Sequence, residues 1–307
     1  MCEFKSGIIL KNRCFIPDYD SHDAMLRELN IEDDYLNATH TFVRTEFVPC
    51  SGEWWTDPAD PDLWKINIDQ DEVPDWFDID RDGYISKFRD AVREWWLSHV
   101  FVDKKIDELT TGYYRLKRCE VKKLCNDVKV MCDSSSVQRM YDSSSVQRMY
   151  GSSSVQRMYG SSSVQVMYDS SNVQRMYGSS SVQRMYDSSN VQRMCDSSNV
   201  QEMYGSSSVQ EMYDSSNVQR MRDSSNVQEM YGSSSVQRMC DSSSVQEMYG
   251  SSSVQRMCGS SSVQRMCDSS SVQRMYDSSI ARHYAAGKIF VSPDCGLTIT
   301  VFENSKE

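Results

Sequence analysis

The chain has 307 residues, a formal net charge of −11, 39% hydrophobic residues and 25% charged ones. That balance excludes a wholly disordered chain and argues against a large basic surface for nonspecific nucleic-acid binding. A single uniform globular domain is excluded as well, because Asp133 to Tyr276 is a nine-residue unit repeated sixteen times.

The charge is unevenly placed. The repeat tract holds 12 Arg against 13 Asp and Glu, whereas residues 1–132 hold 18 basic and 27 acidic side chains. All six Trp and all six Pro lie outside the tract. The first residues, Met1 to Ser6, lack the apolar core of a signal peptide, and no apolar run approaches the ~18 residues of a membrane span. With eleven Cys, an odd number, the expected setting is a reducing cytoplasm.

Residues 1–110 read as an acidic α+β domain. Gly7 to Ile16 and Thr39 to Val48 have the apolar pattern of strands, and Ser21 is placed to cap a short helix through Leu29. Tyr84 to Val102 carries Ile85, Phe88, Val92, Trp95, Trp96 and His99 along one helical side. Trp54, Trp55, Trp64 and Trp76 are expected in the core of this domain rather than in a ligand cage. Asp78-Ile79-Asp80-Arg81-Asp82-Gly83 follows the opening of an EF-hand loop, so Asp78, Asp80 and Asp82 are candidate calcium ligands. Arg89 stands where the bidentate Glu belongs, and the competing reading is an Asp-rich turn capping the helix that begins near Tyr84. No other cofactor is implied. His22, His40, His99 and His283 are scattered, with no nucleophile motif, so no catalytic residues are assigned.

Residues 111–132 read as a lead-in cap coil, with Leu124 to Cys132 fitting the repeat and Val128, Met131 and Cys132 in phase. Cys119, Cys125 and Cys132 lack paired metal-ligand spacing and are read as free thiols rather than a zinc site.

In residues 133–276 the unit is [Asp/Gly]-Ser-Ser-[Ser/Asn]-Val-Gln-[Arg/Glu/Val]-Met-[Tyr/Cys/Arg]. Val and Met are its only dependable apolar residues, so a unit cannot bury a core without stacking on its neighbours. Too short for a helical hairpin and free of Pro, it predicts a β-solenoid. Positions seven and nine, with Met between them, should face outward while Met faces in. Val137 lies three residues before Met140, so alternation fails there. The chain should turn a corner near Gln138, in preference to making one helical turn. Gly at position one of every third unit (Gly151, Gly178, Gly205, Gly232, Gly259) allows a coil of three units, but two units per coil is the favoured reading. Cys195, Cys240, Cys258 and Cys267 trade with Tyr at position nine and are read as ladder fillers, not disulfides.

Residues 277–307 read as a C-terminal cap, with Lys288 to Ser292 and Leu297 to Phe302 forming a β-hairpin around Pro293-Asp294-Cys295-Gly296. The fold class is therefore mainly β: a nonapeptide β-solenoid with a small α+β N-terminal domain and a hairpin cap.

Thr41-Phe42-Val43-Arg44-Thr45-Glu46-Phe47, Ile68-Asp69-Gln70-Asp71-Glu72-Val73-Pro74-Asp75-Trp76-Phe77, the Trp-containing helix and the Ser-Ser-x-Val-Gln tract together resemble a group of bacteriophage and gut-bacterial proteins. In that group an acidic N-terminal domain precedes tandem short repeats of the pentapeptide-repeat-like kind. The resemblance implies a β-solenoid of phage or mobile-element origin and transfers no catalytic or binding residues.

The expected function is a non-enzymatic binding protein that inhibits or sequesters a host defence or nucleic-acid-handling macromolecule. A structural virion or fibre-like scaffold is the alternative. The contact surface is either the acidic N-terminal domain, where the net charge is concentrated, or the Arg and Tyr ladder of the first repeats, whose candidate residues are Arg139, Tyr141, Arg148, Tyr150, Arg157, Tyr159, Arg175 and Tyr177. Such a ladder suits single-stranded nucleic acid. Glu202, Glu211, Glu229 and Glu247 interrupt it, and mutual salt-bridging between stacked coils is the plainer reading. A host protein is the expected partner, direct nucleic-acid binding is less supported, no membrane is implied, and self-association is open.

Overall fold

The computed structural model describes residues 5–52, 55–60, 62–284, 288–289 and 301–302, the last six of these (283–284, 288–289, 301–302) by backbone alone. The chain divides into two compact units, Met1–Phe101 and Val102–Glu307.

The first unit is α+β. A four-stranded antiparallel sheet has the order β2-β1-β3-β4, with β1 Lys5–Leu10, β2 Arg13–Phe15, β3 Phe42–Pro49 and β4 Trp64–Ile68. Around it lie α1 His22–Glu28, α2 Tyr35–His40, α3 Asp75–Ile79 and α4 Arg81–His99. Ser21 caps α1 by accepting the Ala24 N–H at 3.3 Å, as its position predicts. Phe88, Val92 and Trp95 form the buried side of α4, so the helical stripe is real although the helix starts three residues before Tyr84. Trp64 is buried and stacks on Phe47 at 5.0 Å, a core role. Trp76 is half-buried and donates its Nε1–H to the His40 carbonyl at 2.8 Å; Trp54 lies outside the described residues. Lys5 is buried with its ammonium 2.7 Å from Asp20 and over the Trp95 ring. This unit carries 10 basic and 22 acidic residues, so it holds more than the whole net charge of the chain.

The second unit is a β-solenoid of two parallel sheets, each of twelve strands. Each repeat contributes one strand, from position four to position eight, as in Ser154–Met158 and Ser163–Met167. Repeats one, three and five belong to one sheet, here sheet I, and repeats two, four and six to the other, sheet II. Strands pair with those eighteen residues away, Val155 on Val173 and Met158 on Met176, so a coil holds two repeats. The 27-residue Gly period is therefore not a coil. Eight coils of intact repeats rise roughly 40 Å at the usual strand spacing.

The strands begin earlier than the repeat does. Lys105–Leu109 already pairs with Glu120–Leu124 in register, Ile106 on Val121 and Leu109 on Leu124, so the solenoid reaches back past the expected boundary at residue 110. The phase of the lead-in coil also differs from expectation. Val130 aligns with Val146 and Cys132 with Met149, while Met131 aligns with the outward Arg148. In Val130-Met131-Cys132 the alternation is strict; in Val146-Gln147-Arg148-Met149 there is one residue more, and the register shifts between Val146 and Arg148. Gln is thus the extra residue of a bulged strand. That accounts for two successive outward side chains between Val and Met, with neither the corner nor the helical turn expected at Gln138: the strand runs through from Ser136 to Met140.

The corner lies instead at positions nine to three. Ser144 donates its N–H to the Tyr141 carbonyl at 3.1 Å, and the same bond recurs in later units, for example Ser198 to Cys195. From the second repeat on, position one is left-handed, with φ from 53° at Asp223 to 66° at Gly259. Only Gly adopts this conformation freely, and Asp is among the few others that tolerate it, which is why this position holds nothing else. The first repeat departs, with Ser134 taking the positive φ because Asp133 is still in the preceding strand. Asp serves a second purpose. Its carboxylate accepts the position-one N–H of the previous coil, as Asp196 does from Gly178 at 2.8 Å and Asp214 from Asp196 at 3.2 Å.

Val and Met of every repeat are fully or almost fully buried, and so is the Ser at position three. Each buried Val or Met contributes on the order of 2 kcal/mol of apolar transfer, and the terms add along the stack. At the far end, Lys288–Ile289 pairs in parallel with Ser271–Val272 in sheet II, and Val301–Phe302 with His283–Tyr284 in sheet I. These described pairs extend the two sheets and do not join each other as the expected hairpin. The edges of the last coil offer unpaired backbone groups, and a further coil satisfies them. The turn at Pro293 to Gly296 lies outside the described residues.

Substitutions at position one test the turn. Asp196→Ala and Asp196→Gly both lose the carboxylate bond, but only Ala is strained at φ 58°. Ala is expected to cost about 1 kcal/mol more than Gly in urea unfolding. Equal losses would disprove the conformational role.

Candidate functional site

Parallel pairing in register stacks each outward residue on its own column. At position nine the tyrosines form stacks: Tyr141, Tyr159 and Tyr177 on the sheet I side, with ring centroids 5.2 and 5.3 Å apart. Tyr150, Tyr168, Tyr186 and Tyr204 do the same on the sheet II side, at 5.0 to 5.4 Å. Cys195 interrupts the first stack, which resumes at Tyr213, Tyr231 and Tyr249. The cysteines occupy these columns as free thiols, as expected of ladder fillers. Position four builds another kind of ladder: Asn190 donates to Asn172 at 3.1 Å and Ser208 to Asn190 at 2.9 Å, which suits a column that mixes Ser and Asn.

Position seven carries the charge. On sheet I the column runs Arg139, Arg157, Arg175, Arg193, then Glu211, Glu229, Glu247, then Arg265. On sheet II it runs Arg148, Val166, Arg184, Glu202, then Arg220, Arg238 and Arg256. The alternation of Glu and Arg along the chain from Glu211 to Arg256 is thereby sorted onto two faces. Among the described residues, the salt bridges of these columns form where the sign changes: Arg193 to Glu211 at 2.6 Å, Arg220 to Glu202 at 2.8 Å, and Arg184 to Glu202 and Arg265 to Glu247 both at 3.8 Å. General mutual salt-bridging, the plainer reading of the sequence, is thus confined to junctions.

The carboxylates respond to these neighbours. The Arg193 guanidinium holds the Glu211 carboxyl below its ordinary range. Each Glu of the acidic run accepts from the Tyr two residues on, Tyr213 to Glu211 at 3.1 Å and Tyr231 to Glu229 at 2.5 Å. The bond from Tyr249 to Glu247, with burial adding to it, pushes the Tyr249 phenol up to about 12.

Of the eight binding-face candidates, Arg139, Tyr141, Arg157, Tyr159, Arg175 and Tyr177 come together on the sheet I side, whereas Arg148 and Tyr150 fall on sheet II. Among the described residues Arg139, Arg157 and Arg175 have no carboxylate at salt-bridge distance. The sequence reading missed the acidic run on sheet I and the arginine run opposite it. Reading position seven at every second repeat is the signal that finds them.

The calcium candidates are not gathered into a loop. Asp78 sits in α3 and pairs with Arg81 at 2.7 Å, Asp80 joins α3 to α4, and Asp82 is in the first turn of α4. An EF-hand needs its sixth position in a tight loop turn, but Gly83 is helical, with the Asp80 carboxyl packed against it. Among the described residues no three His, Cys, Asp or Glu side chains are grouped to hold a metal, Cys119, Cys125 and Cys132 included. Burial pushes the Cys132 thiol up to about 12, away from the thiolate a metal requires. His22 contacts Asp69 at 3.1 Å and His99 contacts Asp18 at 3.1 Å. Among the described residues no helix is long and apolar enough to cross a membrane. The chain matches no family model, no curated protein and no solved structure.

Millimolar calcium is expected to leave the melting temperature unchanged, in the native chain and in Asp80→Ala alike. A calcium-dependent rise that Asp80→Ala abolishes would restore the loop assignment.

Proposed function

We propose that the chain is a non-enzymatic, phage-type β-solenoid binding protein acting in the host cytoplasm, with the first four coils of sheet I as its docking face for an anionic host protein. One observation carries this reading. Arg139, Arg157, Arg175 and Arg193 stand in register one coil apart beside the stacked Tyr141, Tyr159 and Tyr177, and the first three guanidiniums lack carboxylates. An unneutralised guanidinium column offers bidentate sites to a row of carboxylates or phosphates, and rigid phenol rings add contact area at little entropic cost. Rigidity comes from the stack itself, so docking orders little of the protein. The acidic first unit, with 22 acidic against 10 basic residues, disfavours the same anionic partner on its own surface.

The test is capture from a host lysate, with nuclease treatment, by the full chain and by Arg139→Gln/Arg157→Gln/Arg175→Gln. The variant is expected to lose at least tenfold of the captured partner while keeping its melting temperature. Undiminished capture by the variant would remove the ladder from the binding face. Capture abolished by nuclease would make nucleic acid the partner instead.

A further inference from the structure

The fifth to seventh coils carry Glu on one face and Arg on the other at position seven, whereas the first three coils carry no Glu there. On sheet I, Glu211, Glu229 and Glu247 succeed one another. On sheet II, Arg220, Arg238, Arg256 and Arg274 line a groove of about 460 Å³ together with the Gln residues of position six. Among the described residues Glu229 has no cationic partner, and Arg238, Arg256 and Arg274 have no carboxylate partner.

The same solenoid neutralises such columns elsewhere. In the lead-in coils Asp103 pairs with Arg118, Lys105 with Glu120 and Lys122 with Asp107, each across one coil step. Like charges stacked one coil apart repel, and among the described residues the acidic and basic runs are neutralised within the chain only where they end, at Glu211, Glu247 and Arg220. A body that neutralises them must present opposite charges at the rise of one coil. A second copy of this chain does so by construction, because both ladders take their rise from the same backbone hydrogen bonds.

We propose that the acidic run of sheet I in one copy docks on the arginine groove of sheet II in another. With the copies parallel and in register, Arg193 faces Glu202, and Glu211, Glu229 and Glu247 face Arg220, Arg238 and Arg256. With the copies antiparallel, Glu229 again faces Arg238, flanked by Glu211 with Arg256, Glu247 with Arg220 and Arg265 with Glu202. Either direction gives four opposed pairs, Glu229 with Arg238 among them. The next coils oppose Arg to Arg, which limits the contact to these four. Because the two faces differ, the contact is heterologous and leaves one free ladder at each end, so copies add in an open array rather than closing as a dimer. Apart from Arg193, which the parallel arrangement opposes to Glu202, the surface is separate from the Arg139 to Arg175 ladder, and the two readings fail independently.

Sedimentation of the full chain at low and high salt tests this. The native chain is expected to form concentration-dependent oligomers at low salt that dissociate as ionic strength rises. Glu211→Lys/Glu229→Lys/Glu247→Lys and Arg220→Glu/Arg238→Glu/Arg256→Glu should each be monomeric alone, and an equimolar mixture should associate again. Should a reversed variant fail to fold, Glu211→Gln/Glu229→Gln/Glu247→Gln serves in its place. It removes repulsion within the column, so it should melt no lower than the native chain yet not associate. A native chain that stays monomeric at low salt overturns the proposal, as does a mixture of folded reversed variants that stays monomeric. Captured host partner is unaffected by either set of substitutions, since Arg139, Arg157 and Arg175 are untouched.

Discussion

Parallel pairing at a step of eighteen residues places every side chain on its own column, and most other features of the solenoid follow from that register. Buried columns profit: Val stacks on Val and Met on Met, with no polar group to be satisfied except the Ser at position three. Tyr and Asn columns profit too, through ring stacking and side-chain amide bonds. Charged columns are the exception, since identity there means repulsion. The register that stabilises the core therefore also creates electrostatic faces, and the residues at position seven decide their sign.

The turn makes this register possible. A left-handed residue at position one reverses the chain in a short polar corner, and Asp carboxylates such as those of Asp169 and Asp223 tie their turns to the preceding ones. Consecutive turns are close: a Cβ added at Gly178 would lie 3.2 Å from the Gly160 carbonyl oxygen. Gly and Asp are thus two solutions to one backbone requirement. Gly gives conformational ease and Asp gives a cross-coil bond, and this freedom lets the two alternate without disturbing the strands.

Much of this was legible in the sequence because it depends on periodicity. Fixed Val and Met positions announced an inward pair, the short arm favoured two units per coil, and Tyr trading with Cys announced an outer column. What escaped depends on comparison between strands. Gln138 as a bulge residue becomes visible only when Val146 to Met149 is set against the shorter Val130 to Cys132 beside it. The same comparison shifts the phase of the lead-in coil. Its start before residue 110 was hidden because Ile106, Leu109, Val121 and Leu124 do the work of Val and Met without the Ser-Ser signature. In the first unit, the Asp78 to Gly83 pattern matched a loop by residue type, yet helices on both sides claimed the same residues, and spacing alone does not reveal which conformation wins.

A single structural integer, the number of units per coil, sets the charge that each face carries. Read one unit at a time, Glu211, Arg220, Glu229, Arg238, Glu247 and Arg256 alternate strictly and look self-neutralising. Folding two units into each coil sends every Glu to one face and every Arg to the other. Three units per coil would have mixed the signs in every column and left neighbours to pair within the chain. An even coil number therefore converts alternation along the sequence into segregation across the solenoid. The near-zero net charge of the repeats then conceals two strongly polar surfaces. Net charge describes the acidic first unit well and the solenoid poorly, because what the solenoid offers a partner is the sign of a column, not a sum.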